Sequence, residues 1–359
     1  MMLSRRSPAM PLTMALLPLG RRLVSTMTTR ILRSTVNDPI FNIATENWIF
    51  DTSGPNDNVL YLWQNSPVVV IGRNQNPFKE CHLQRMEERG VVLARRLSGG
   101  GAVYQDHGNT CFTFVSPKAH FDKMRNYGIL TAALQSLGIP AVFSGRNDIT
   151  VNDRKVSGSA FKLDHIRSLH HGTLLLNVDM TALGGLLNPN KAKLLSKGVA
   201  SVQARVLNLA EVRADITHAS VCSALTDAFL KEYDTACEIE DLNFDQLKEI
   251  PSLKEKYNSF QDWDWRFGET PDFNHELEHR FPWGTMDVFI DSKAGVITDC
   301  KVFSDCLDVY LVFELEAQLK GKPYSPDGIR QAVVAAQANL SPESQANLAD
   351  VSAWLVSVI

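Results

Sequence analysis

The sequence predicts an α+β protein: a large domain of mixed, mostly antiparallel sheets flanked by helices, then a smaller C-terminal α+β domain. Three observations predict it. β-rich runs and amphipathic helical runs interleave irregularly, without the regular spacing of βαβ units. At 359 residues, two domains are favoured over one. The periodic pattern dissolves between about Asp241 and Phe273 and then resumes, as at an interdomain connection.

Taken in order, Asp38 before Pro39 opens "NDPIFNIATENWIFD" as a helix, with Ile40, Ile43, Ala44, Asn47 and Trp48 at roughly helical spacing. "NVLYLWQNSPVVVIGRNQN" reads as two strands broken at Asn65-Ser66-Pro67, a predicted hairpin. "ECHLQRMEERG" is a short charged helix stopped by Gly90, and "VVLARRLS" is a strand running into three glycines. In "NTCFTFVS", Cys111, Thr113 and Val115 alternate with Phe112 and Phe114, the period of a strand. A helix over 127–137 ends at Gly138, with Pro140 beyond it. Asn152-Asp153 suit a tight turn between "NDITV" and "RKVSGSAF". "HHGTLLLNVDM" is a further strand, and "HASVCSALTDAFLKEY" is an amphipathic helix with Val221, Leu225, Ala228 and Phe229 on one face. After the connection, "WGTMDVFIDSKAGVITDCKVFSD" is a hairpin turning near 293–295, and helical stretches run through "ANLADVSAWLVSVI".

Composition narrows the function. Apolar residues make up 44% and charged residues 21%, ordinary globular values. The formal charge is -4, but it is unevenly placed: the first acid is Asp38, while Arg5, Arg6, Arg21 and Arg22 precede it among Ser, Thr, Met and Leu. Without that stretch, 32 basic residues face 40 acidic ones. A basic, acid-free leader on an acidic body reads as a mitochondrial transit peptide over 1–29, cut near 24–29, which predicts the mitochondrial matrix as the destination. "MPLTMALLPLG" is too short for a bilayer and holds two prolines, so no membrane span is predicted. Six cysteines, at 81, 111, 222, 237, 300 and 306, form no CxxC pair, which supports neither a zinc site nor a secreted disulfide framework. An acidic body without basic clusters argues against nucleic acid as a partner.

Two segments carry candidate chemistry. "RRLSGGGAVYQDHGNT" matches neither a Walker A loop nor the dinucleotide GxGxxG spacing. Ser98, Gly99, Gly100 and Gly101 can expose successive backbone amides and let a ligand lie against the main chain, with Arg96 supplying charge for a phosphate or carboxylate; a glycine-rich turn is the alternative. In "SGRNDITVNDRKVSGSA", Lys155 follows a turn and precedes Ser157, Gly158, Ser159 and Ala160, small residues that leave room for a ligand; the alternative is a solvated lysine. His170 and His171, adjacent on a strand, point to opposite faces, so at most one is a pocket hydrogen-bond partner. Cys111 sits within an alternating apolar strand and reads as a buried small hydrophobe. "SKGVASVQARV" can fold over a nucleotide or form an ordinary connection.

In this order, "RRLSGGGAVYQDHGNTCFTF", "SGRNDITVNDRKVSGSAFK...HHGTLLLNVD" and "KGVASVQARVLNL" resemble the lipoate-protein ligase A and lipoyltransferase family. The resemblance covers nearly the whole chain after the leader: "VVVIGRNQNPFKEC" is similar to that family's early hairpin, "DWDWRFGETPDF" to its linker and "VFSDCL" to its accessory domain. It implies a catalytic lipoate- and ATP-binding domain over 30–250, a linker over 251–271 and an accessory domain over 272–359. It implies Lys155 as the catalytic lysine, and Ser98, Gly99 and Gly100 as the lipoate loop. Arg96, Gly101, Ala102, Val103 and Tyr104 would line the nucleotide and acyl phosphate, with Arg146, Asn147, Asp148 and Thr173 around them. Lys197, Gly198, Val202 and Ala204 fall on a loop that closes over the adenylate. Gln105 departs from the family's usual His; it keeps hydrogen bonding but cannot titrate.

The implied reaction joins lipoate to ATP, as Mg-ATP, giving lipoyl-AMP, and then acylates a lysine on lipoyl domains of 2-oxoacid dehydrogenase E2 subunits and on the glycine-cleavage H protein. The lipoyl tail needs an apolar slot, with Val70, Val103 and Phe114 as possible walls. A transferase using preformed lipoyl-AMP or a lipoyl or octanoyl carrier protein is the nearest alternative. Biotin-protein ligases share the fold by resemblance but carry a "GRGRxG" loop absent here. A non-catalytic carrier-binding module would show a broken lysine or glycine loop, and both are intact.

Overall fold

The computed structural model describes residues 27–145, 147–187, 206–267 and 275–359. In the first domain the strands are β1 (Thr28–Ser34), β2 (Asp57–Trp63), β3 (Val68–Ile71), β4 (Val92–Arg95), β5 (Val103–Gln105), β6 (Asn109–Pro117), β7 (Val142–Ser144), β8 (Asp148–Val151), β9 (Arg154–Leu163), β10 (Arg167–Leu175) and β11 (Ile239–Leu242). An eight-stranded sheet runs β11-β1-β2-β6-β10-β9-β8-β7, and a three-stranded sheet runs β4-β3-β5. β1 pairs in parallel with both β11 and β2, and the remaining ladders of the large sheet are antiparallel. This is the mixed α+β architecture the sequence predicts.

Local signals placed many elements correctly. Asp38 caps the helix Pro39–Thr52, its carboxylate accepting from Phe41 N at 2.6 Å, a contact worth about 1 kcal/mol. Asn152 and Asp153 adopt φ of 50° and 59°, the tight turn between β8 and β9. Helices Lys123–Ser136 and His218–Glu232 pack together on one face of the large sheet, burying Leu130, Leu134, Leu225 and Phe229 with Phe112 and Phe114. Each such side chain contributes roughly 1.5–3 kcal/mol.

Two expectations are corrected. The predicted hairpin across Asn65-Ser66-Pro67 does not form: β2 pairs with β1 and β6 in the large sheet, whereas β3 pairs with β4 and β5 in the small one. Asn65 is instead a buried junction, its amide donating to Gln105 Oε1 at 2.8 Å and its oxygen accepting from Asn42 at 2.9 Å. The stretch from Asp241 onward is not irregular either. Helices Gln246–Glu249, Pro251–Gln261 and Trp263–Phe267 follow β11, and Pro251–Gln261 lies on Pro39–Thr52 with Leu253 and Phe260 buried. Two apolar anchors a full two turns apart give too sparse a stripe to stand out in a charged sequence.

The second domain has strands β12 (His275–Phe281), β13 (Gly284–Lys293) and β14 (Val296–Ser304), an antiparallel sheet covered by helices Val309–Leu319, Pro326–Gln337 and Pro342–Val358. Its β13–β14 hairpin turns through Ala294 and Gly295, both at positive φ. The end of β14 and the segment after it dock on the first domain: Ser304 N donates to Asn74 O at 2.7 Å, and Gly100 N to Cys306 O at 2.8 Å. The Arg73 guanidinium sits between Trp265 and Phe313, 4.6 and 5.1 Å from the ring centres.

Candidate active site

A cavity of about 760 Å³ opens where the two sheets of the first domain meet the docked second domain. Arg96, Gly100, Gly101 and Ala102 line it from the glycine segment, and Val103 and Tyr104 from β5. Asn147, Lys155 and Thr173 line it from the β8–β10 region. Ser98, Gly99 and Asp148 are not on its wall but contact residues that are. Arg146, Lys197, Gly198, Val202 and Ala204 lie outside the described residues.

Lys155 reaches the cavity because of a register shift. The pairing runs Ile149 with Ser157, then Thr150 with Lys155, so Val156 is an inserted residue in β9. On a regular strand, Lys155 would share a face with Ser157 and Ser159. The bulge turns it onto the face of Gly158 and Ala160, which pair with Thr173 and His171 on β10. Lys155 and Ala160 are five residues apart, so that wall extends about 16 Å along the strand. The Lys155 ammonium lies 2.7 Å from Asp148 Oδ1, with side chains 38% and 35% exposed. A Cβ on Gly158 would fall 2.9 Å from Lys155 Nζ, so the glycine clears the space the ammonium occupies.

Arg96 is held differently. Its Nε donates to Ser98 Oγ at 3.0 Å, Nη1 to Val70 O at 3.1 Å, and Nη2 to Gly99 O and Gly101 O at 2.7 and 2.9 Å. Burial pulls its pKa down to about 10, a shift opposed by the charge of Glu46. Ser98, accepting from Arg96, donates to His171 Nε2 at 2.6 Å, and His171 Nδ1 contacts Glu46 Oε1 at 2.7 Å. Glu46 Oε1 also accepts from Thr113 Oγ1 at 2.5 Å, and Thr113 Oγ1 from Trp63 Nε1 at 3.2 Å. A buried cation and a buried anion are thus joined through Ser98 and His171, which offsets the cost of burying either alone. Arg95 is also structural: Nε donates to Trp265 O, Nη1 to the carbonyls of Gly72, Arg73 and Gln75, and Nη2 to Arg266 O.

The glycines divide by function. A Cβ at Gly99 would lie 2.4 Å from Cys306 O and 2.7 Å from Leu307 O, so this position admits the second domain. Among the described residues, a Cβ at Gly101 meets nothing within 4 Å, and the position lines the cavity. Gly100 spends its amide on Cys306, not on a ligand.

Of the expected apolar walls, Val70 and Val103 line the cavity. Phe114 does not; strand alternation sends it with Phe112 to the opposite face, against His170 and Phe229. The adjacent histidines separate as expected, His171 toward the cavity and His170 into a cage of Phe112, Phe114, Tyr127 and Phe161. Cys111 is fully buried, which pushes its thiol pKa well up. Tyr104 is likewise held up, to about 12, by burial and then by Asp106 and Asp179. The sequence reasoning missed Glu46, Trp63 and the second domain's Arg280, Trp283, Asp305 and Leu307. Glu46 left one signal: an acid inside a helix otherwise dominated by buried residues.

Residues 38–230 match the model of the lipoyl protein ligase A/B catalytic domain, and residues 270–355 that of the bacterial lipoate protein ligase C-terminus. The lipoate-protein ligase A of Psychrobacter cryohalolentis is 48% identical over 336 residues, spanning 92% of this chain and 98% of that protein. The chain belongs to the lipoate-protein ligase family. Among solved structures, P. falciparum LipL1 in complex with lipoate superposes with a TM-score of 0.82 at 33% identity, covering 92% of this chain and 100% of that one. A lipoate-protein ligase A bound with ATP matches with a TM-score of 0.59 at 23% identity over 67% of this chain and 99% of that one, a likeness of fold. Within this family, both domains are present here, and the cavity lies between the glycine segment, the bulged strand and the accessory domain.

Proposed function

We propose that this lipoate-protein ligase works in two steps at the one cavity. Lipoate's carboxylate attacks the α-phosphorus of Mg-ATP, giving lipoyl-AMP and pyrophosphate; the ε-amine of an acceptor lysine then attacks the acyl carbon, forming the amide and releasing AMP. Lys155 is the catalytic residue, its ammonium stabilising the negative charge that develops on the carboxyl and phosphoryl oxygens in both steps. The single observation that carries this reading is Lys155 turned by the Val156 bulge onto the wall of a cavity that also presents Trp63, Val70 and Leu175 as apolar surface. Asp148 neutralises Lys155 until the anionic ligand replaces it. Asn147, Thr173, Gly101, Ala102, Val103 and Tyr104 form the wall around the adenylate, and Arg96 holds that wall in shape. Lys197, Gly198, Val202, Ala204 and Arg146 complete the site in this reading on the strength of their sequence match.

The magnesium ion enters with the nucleotide. The acceptors are lipoyl domains of 2-oxoacid dehydrogenase E2 subunits and the glycine-cleavage H protein. The basic, acid-free stretch over 1–29 directs the chain to the mitochondrial matrix; its last two residues, Thr28 and Thr29, already belong to β1. Fusing residues 1–29 to a fluorescent reporter checks the destination; a reporter spread through the cytosol contradicts it. The activity is tested with purified protein, ATP, lipoate and an apo lipoyl domain. Pyrophosphate released before acceptor is added supports the ligase. Modification from supplied lipoyl-AMP alone would make the chain a transferase.

A further inference from the structure

Gln105, which stands where the family usually has His, ends β5 and lines the cavity. A chain of buried amides decides which of its atoms faces a ligand. Asn42 Nδ2 donates to the carbonyls of Val36 and Gln64 at 3.1 and 2.9 Å and to Asn65 Oδ1 at 2.9 Å, while Asn42 Oδ1 accepts from Tyr61 Oη at 3.2 Å. Backbone carbonyls only accept, so Asn42 cannot be turned round. Its donor therefore meets the Asn65 oxygen, and the Asn65 amide donates to Gln105 Oε1 at 2.8 Å. Each orientation fixes the next. Left at the end of the chain is Gln105 Nε2, a pair of N–H donors for which no described residue supplies an acceptor. Asn42 and Asn65 are fully buried and Gln105 is 5% exposed, so solvent does not compete for these bonds.

Position selects the acceptor. Asn65 lies just past the end of β2, whereas Lys155 is on β9, with β6 and β10 between those strands in the large sheet. Three strand spacings put the Gln105 donor roughly 14 Å across the cavity from the strand that carries the ammonium. The acyl and phosphoryl oxygens belong at Lys155. Away from it the ligand offers two ends: an acyl chain of saturated carbon closed by sulfur, which accepts weakly, and a purine, whose ring nitrogens accept well. Strand alternation puts Gln105 on the same face as Val103, and both line the cavity beside Ala102, so the donor adjoins the apolar surface that a purine ring needs. We propose that Gln105 is a specificity-determining residue that donates from Nε2 to a ring nitrogen of the nucleotide's purine. A neutral histidine fills the same place, accepting from Asn65 with one nitrogen and donating with the other.

This inference rests on the ATP-dependent ligase reading, and its test separates the two. Calorimetric titration of the full chain compares Mg-ATP with its three deaza analogues, in which N1, N3 or N7 of the purine is replaced by C–H. In the unmutated chain at least one analogue binds weaker than ATP by roughly fivefold, the worth of one neutral hydrogen bond. In Gln105→Met, ATP itself binds weaker by a similar factor, that analogue no longer differs from it, and lipoate affinity is unchanged. Gln105→His at about pH 8, where the neutral ring pairs with Asn65 and still donates, restores the discrimination and covers the case in which the Met variant folds poorly. Three analogues that all bind like ATP overturn the proposal, as does a penalty that persists in Gln105→Met or a loss there that falls on lipoate. Failure of ATP to bind the unmutated chain counts against the ATP-dependent reading itself; ATP bound there with every analogue bound alike counts against Gln105 alone.

Discussion

Arg96 and Lys155 face the same cavity and are held in opposite ways. Arg96 is 7% exposed and gives hydrogen bonds to three carbonyls and a hydroxyl of its own surroundings. Lys155 is more than a third exposed, with one carboxylate beside it in an ion pair that an anionic ligand can replace. One cation is spent on the scaffold, and the other is available for chemistry. The same division separates Gly99 from Gly101, while His170 and His171 differ in another way, one caged by aromatic rings and the other held at both ring nitrogens by Ser98 and Glu46.

The largest effect that could break this comparison is on stability. Arg96→Ala leaves the Gly99 and Gly101 carbonyls and the Ser98–His171–Glu46 chain without their cation, and should cost about 3 kcal/mol or more in denaturant unfolding. A variant as stable as the parent would mean that the loop does not depend on it. Next come the glycines. Gly99→Ala forces a Cβ against two backbone carbonyls of the second domain, for roughly 1–3 kcal/mol and a looser domain contact seen by limited proteolysis. Gly101→Ala should stay within about 0.5 kcal/mol of the parent. Equal costs at the two positions would erase the division.

The smallest effect belongs to the histidines. His170 is fully buried, and desolvation, then the charges of His171 and Lys123, hold its pKa well below the ordinary value. The folded protein therefore keeps it neutral where the unfolded chain takes up a proton, so stability is lost as pH falls below about 6.5. Comparing the parent with His170→Phe isolates this contribution. The difference in unfolding free energy between them should shift by roughly 1.4 kcal/mol in favour of the variant between pH 7.5 and pH 5.5. A difference that does not change with pH would show that burial leaves the protonation of His170 as it is in the unfolded chain, and a shift the other way would contradict the predicted direction.

Much of the fold was legible because its signals are local. Asp38 before Pro39, the Asn152-Asp153 turn, the alternation from Cys111 to Val115, and Gly90 and Gly138 at helix ends each act within a few residues. Pairing partners are not local, which is why β2 and β3 looked like a hairpin although they join different sheets. The site divides the same way. Lys155 and the glycine segment were visible as residue types, but Lys155 faces the cavity only through the Val156 insertion, which shows in the register against β8 and not in the sequence. Gly99 owes its size limit to Cys306 and Leu307, and Glu46 meets His171 across 125 positions of chain. Phe114 was misplaced by treating a β6 residue near the site as facing it; the strand's own alternation sends it away.

Everything proposed for the cavity depends on Lys155 being the available cation. The direct measurement is titration of the Lys155→Ala protein with a non-hydrolysable lipoyl-adenylate analogue, alongside its unfolding free energy. Binding should weaken by roughly a hundredfold, with stability changed by less than about 1 kcal/mol. Parental affinity in the Lys155→Ala protein would contradict it.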